Sequence, residues 1–135
     1  MAAQAPSMDE WLKEAKADAS APLCGMYLFH NGVVRETPKS EARGVETEGV
    51  APGGKVRGMS FSYDEERVAA AVEAARSLPG IHYVRLWLNE GELEVGDDIM
   101  LVLVGGDIRP RVIDALQELV GTIKNSCVSE VERGA

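Results

Sequence analysis

The sequence predicts a single α/β domain built on a mixed or antiparallel sheet, and three observations carry that prediction. Ile99, Met100, Leu101, Val102, Leu103 and Val104 are six apolar residues in a row. That is too short for a membrane span and suits a strand covered on both faces. Residues 81–89 (IHYVRLWLN) alternate, with Val84, Leu86 and Leu88 on one side and Tyr83, Arg85 and Trp87 on the other. Two segments, one after Asp64 and one after Asp107, carry apolar residues at helical spacing. At 135 residues the chain has material for one core.

Taken in order, residues 1–7 read as a loose tail and residues 8–19 as a short helix with Trp11, Leu12, Ala15 and Ala19 on one side. A helix this short must dock to persist. Residues 25–36 (GMYLFHNGVVRE) form a strand in which Gly32 suggests a bulge or a close backbone approach, and Arg35 closes it. Residues 37–54, including PKSEARGVETEGVAPGG, have no periodicity and read as a long loop. Residues 55–63 alternate weakly with a kink at Gly58. Asp64 then caps a helix whose inner face is Val68, Ala71, Val72, Ala75 and Leu78, and Pro79-Gly80 stops it. After the alternating strand, Gly91-Glu92-Leu93 and Val95-Gly96-Asp97-Asp98 read as corners leading into the buried strand. Gly105-Gly106 breaks that strand. Asp107 is placed as the N-cap of the last helix, Pro110 sits in its first turn, and Val112, Ile113, Leu116, Leu119, Val120 and Ile123 line it up to Lys124. The order is α–β–β–α–β–β–α, with residues 127–135 as a short acidic tail.

Net charge of −8 and a pI near 4.8, with no basic stripe, argue against nucleic-acid binding. The N-terminal residues lack the basic and apolar regions of a signal peptide, and no apolar run could cross a bilayer, so the expected setting is cytoplasmic. Cys24 and Cys127 match no metal spacing, and neither a metal nor a cofactor is expected. Free thiols or a bridge would both fit them. Adjacent Asp97 and Asp98 point opposite ways on a strand and read as a turn. Among polar candidates (Arg35, Arg109, Lys124, His30 and Cys127), Arg35 and Lys124 both stand at element ends and could share an anion pocket. A lysine can also do acid–base or covalent chemistry once burial or nearby cations lower its pKa.

From about Cys24 to Lys124 the order of motifs resembles the catalytic (large) subunit of molybdopterin synthase. The carrying residues are the strand from Gly25 with Gly32-Val33-Val34-Arg35, the helix from Asp64, Gly91-Glu92-Leu93 with Gly96-Asp97, and the helix ending Ile123-Lys124. The resemblance implies an α/β hammerhead fold over residues 23–126, flanked by an N-terminal tail and helix (1–22) and the acidic tail. It implies a homodimer, a small ubiquitin-like sulfur-carrier partner with a C-terminal thiocarboxylate, and a pterin phosphate substrate. In that family two sulfurs are moved onto cyclic pyranopterin monophosphate. By position, Lys124 matches an active-site lysine, Arg35 an arginine of the anion-binding pocket, and Arg109 the arginine of a His-Arg pair. The histidine of that pair is Ile108 here, a second active-site lysine is Val131, and His30 replaces a strand phenylalanine. The implied activity is sulfur transfer; a non-catalytic dimeric module that binds the carrier is the alternative.

Overall fold

The computed structural model describes residues 3–37 and 54–134. Its helices are α1 (Met8–Ala17), α2 (Glu65–Arg76) and α3 (Arg109–Thr122). The strands are β1 (Met26–Val33), β2 (Val56–Tyr63), β3 (Ile81–Leu88), β4 (Gly91–Glu94), β5 (Asp98–Gly106) and β6 (Val128–Gly134). They form two antiparallel three-stranded sheets, ordered β1-β5-β3 and β4-β2-β6. Most of the expected 37–54 loop lies outside the described residues. Its base is defined, because the Val56 N–H donates to the Glu36 carbonyl (2.8 Å) and Lys55 pairs with Glu36 (3.1 Å).

β5 is the axis of the first sheet, and its alternation feeds two cores. Met100, Val102 and Val104 join the main core beneath α2 and α3, together with Val84, Val112, Leu119 and Ile123. Leu101 and Leu103 face the other way, onto Trp11 and Ala15 of α1. The aromatic face of β3 is therefore covered by the N-terminal helix. Arg85 lies over the Trp11 ring, 4.5 Å from its centre, and pairs with Glu14. Buried Asn89 ties down the chain before α1, exchanging hydrogen bonds with the Ala3 backbone (3.0 and 3.1 Å). The second sheet closes the main core with Val56, Met59, Phe61 and Leu93.

Four sequence expectations are corrected. Gly105-Gly106 does not break β5 but pairs within it, with Tyr27 and Met26 on one side and Tyr83 and Ile81 on the other. The acidic C-terminal segment is not a tail: Val128 to Gly134 pair with β2 as β6. Gly91-Glu92-Leu93 belongs to the short strand β4 rather than to a corner, since β2 offers a free edge for it. Asp107 does not cap α3. Ile108 occupies the N-cap without a side-chain bond, and Asp107 accepts from the Ile108 N–H and from Arg111 (both 2.7 Å). Asp64 does cap α2, accepting from the Arg67 N–H at 3.1 Å. The Gly32 bulge is present as a register shift in β1, where an added Cβ would press on Met100. Both cysteines are free thiols. No helix among the described residues is long and apolar enough to cross a membrane.

Candidate functional site

The site forms where the end of α3 meets β1 and β6. Beyond Thr122 the helix widens into a π-turn, Ile123–Cys127, a distortion often found at functional positions. The turn is held from α2: Arg67 donates to the Ser126 carbonyl (3.0 Å) and the Asp64 N–H to the Cys127 carbonyl (2.8 Å). Buried Ile123 anchors it, so Lys124 projects outward one residue later, a helical turn beyond Val120.

Lys124 enters a cavity of about 320 Å³ whose polar lining is His30, Arg35, Lys124, Glu130 and Glu132. A neighbouring groove of about 390 Å³ shares His30, Val120 and Lys124 and runs along α3 past Gly121, Gln117 and Leu116. Lys124 Nζ lies 3.3 Å from Glu130 Oε2, with the lysine side chain 23% exposed and the glutamate 6%. Arg35 is placed by its neighbour. Val34 is buried and bonded at both backbone groups, to the Asp97 carbonyl (3.0 Å) and the Gly96 N–H (2.9 Å), which leaves exposed Arg35 at the cavity mouth.

His30 shares the strand face of Met26 and Leu28 and so points to α3. Its Nε2 is buried and makes no protein hydrogen bond. Burial, and then the positive charge of Lys124, hold its pKa below the usual imidazole value of 6.5. Among the described residues the cavity thus presents two cations, two carboxylates and an imidazole that favours its neutral form. Burial pushes the nearby Cys127 thiol up, away from thiolate character.

Of the polar candidates named from the sequence, His30, Arg35 and Lys124 come together. Arg109 does not line this cavity: it begins α3, about 20 Å along the helix from Lys124 at 1.5 Å per residue. Glu130 and Glu132 carry no motif that marks them. The glutamates become lining once β6 is recognised as a strand. The acidic Asp97-Asp98 corner is structural, with Asp97 accepting from the Glu94 N–H (2.8 Å) and Asp98 from Asn31 (3.0 Å). A larger hollow of about 450 Å³ beside β3 includes Asp18, Arg76, His82 and Arg85. Its arginines are already engaged, Arg76 by Glu73 and the Val84 carbonyl, Arg85 by Glu14 and Trp11.

The model of the MoaE protein family matches residues 3–126. The chain belongs to the MoaE family. The match takes in α1 as well as the stretch that carries the sequence resemblance, and it stops just short of β6. Solved structures share the fold. Molybdopterin synthase from Staphylococcus aureus superposes with a TM-score of 0.71 at 17% identity, covering 98% of this chain and 88% of that one. A MoaE protein from Burkholderia ambifaria gives 0.65 at 16%, covering 96% and 85%. The complex of subunits 1 and 2 of molybdopterin-converting factor from Helicobacter pylori gives 0.63 at 16%, covering 96% and 80%. No curated protein sequence matches the chain. The α/β hammerhead expected from the resemblance is therefore the fold of this MoaE-family chain, and its Lys124 stands at the end of the last helix of that fold.

Proposed function

We propose that this MoaE-family chain is the catalytic-subunit component of a molybdopterin synthase, moving sulfur from a thiocarboxylated carrier to cyclic pyranopterin monophosphate. The observation that supports it most is the convergence of Lys124 and Arg35, from distant parts of the chain, on one cavity. Both reactants are anions. A thiocarboxylate and a cyclic phosphate each gain from ammonium and guanidinium donors in a partly enclosed site, where charge is less screened than in water. Lys124, the less exposed of the two cations, touches the reacting groups in this reading, and Arg35 holds the phosphate at the mouth. The groove along α3 leads to Lys124 past Gly121, whose Cα faces open space, and takes the extended C-terminal end of a small ubiquitin-like carrier. Arg109 joins only in a homodimer, where it reaches the cavity of a second copy. Exposed Ile108 and Ile113 beside it supply apolar surface for such a contact.

One observation favours a second reading, a non-catalytic dimeric module that keeps the carrier. The position of the second family lysine is Val131, 47% exposed, while its neighbours Glu130 and Glu132 line the cavity and cancel positive charge there. A single-turnover assay separates the two. Protein is mixed with thiocarboxylated carrier and cyclic pyranopterin monophosphate, and product is oxidised to a fluorescent pterin. Synthase activity predicts product that falls by at least about a hundredfold in Lys124→Ala, as for loss of a group acting in the transition state. Full turnover in that variant would remove Lys124 from the chemistry. Absent product with carrier binding intact by calorimetry would establish the binding module.

A further inference from the structure

The cation best placed for chemistry is already in contact with a carboxylate of its own chain. The reversal between the π-turn and β6 brings residue 130 back over residue 124, and pairing with β2 fixes the returning strand. Alternation along β6 then turns Glu130 and Glu132 to the cavity and leaves Val131 outside. Glu130 is nearly enclosed at 6% side-chain exposure, so its charge acts on Lys124 with little screening. An incoming anion has to share the ammonium with Glu130 or displace it.

We propose that Glu130 is a positioning residue and built-in counter-ion of Lys124: it holds Nζ in the cavity and sets how tightly the cavity accepts anions. The inference rests on reading the cavity as an anion site, and it adds a competitor from a segment beyond the family match. It accounts for a lysine that stays within a partly enclosed cavity beside His30, because the neighbouring carboxylate offsets the cost of enclosing the charge.

The test is calorimetric titration with inorganic phosphate at low ionic strength, with the His30 imidazole resonances as a location marker. Glu130→Gln keeps the size and a hydrogen-bonding oxygen while removing the charge. It should bind phosphate about tenfold more tightly than the unaltered chain. Glu130→Asp retains the charge but withdraws it by one methylene, and should fall between the two; it also serves if the glutamine variant does not fold. The gain should vanish when Lys124→Ala is added, a non-additivity that a purely structural role for Glu130 would not produce. Unchanged affinity in both Glu130 variants, with Lys124→Ala still weakening binding, would overturn the counter-ion role and leave the anion site standing. Phosphate that neither responds to Lys124→Ala nor moves the His30 signals would overturn the anion site, and the proposal with it.

Discussion

His30 shows how one side chain reports on its surroundings. Its imidazole is driven toward the neutral form by burial and by Lys124, so the folded chain binds a proton there less readily than the unfolded chain. Between the lowered folded value and the ordinary 6.5 the unfolded state holds more protons, and stability rises with pH. The contribution is complete above about pH 6.5 and is lost as pH falls through the folded value. Thermal melting should therefore show a larger loss between pH 7 and pH 5 for the unaltered protein than for His30→Phe. Replacing Lys124 by Ala should reduce that loss, because one of its two causes has gone. Parallel pH curves for His30→Phe and the unaltered chain would show that His30 contributes nothing to acid sensitivity.

At the scale of elements, α1 illustrates a helix that exists by docking. Ten residues are too few to be stable alone, even with Ser7 accepting from the Glu10 N–H (3.3 Å) at its start. Trp11, 5% exposed, and fully buried Ala15 seat it on Leu101 and Leu103, and the Tyr27 hydroxyl donates to the Ala15 carbonyl (3.4 Å). Trp11→Ala should cost about 3 kcal/mol in urea denaturation, from lost burial plus the void left behind. It should also release the Arg85–Glu14 pair, which is exposed and contributes little by itself. A loss below about 1 kcal/mol would mean that α1 adds little to the fold. α2 contrasts with it, because small Ala71 and Ala75 allow close approach to the core and Asp64 supplies a working cap.

For the whole molecule, the decisive feature is that the second sheet is assembled from three separate parts of the chain. β2 receives β4 on one edge and β6, the last strand, on the other. A chain ending at Ser126 would leave the β2 edge open and remove Cys127 and Val128 from the main core. Such a truncation should lower stability by several kcal/mol and add concentration-dependent association, seen by denaturation and size-exclusion chromatography. Unchanged stability and elution would mean that β6 is an accessory to the fold. The same strand carries Glu130 and Glu132, so loss of the sheet and loss of the cavity wall are one event.

Much of the fold is legible in the residues because it depends on local pattern. The run from Ile99 to Val104 suits a strand buried on both faces, and the alternation of residues 81–89 marks a strand with one core face, which the structure pairs antiparallel to it. Lys124 at the end of a long amphipathic helix and Arg35 at the end of a strand are legible for the same reason. Two things were decided by tertiary structure. VSEVERG is polar and short, and it becomes a strand because β2 has an edge to fill. The meeting of Lys124 with Arg35, His30 and two glutamates depends on how the end of α3, β1 and β6 converge, and no spacing along the chain encodes those distances. The separation of Arg109 from Lys124, by contrast, was already legible, because one helix running between them sets it by its rise. Periodicity sets which face of an element is buried; the packing of elements sets which charges must share a cavity.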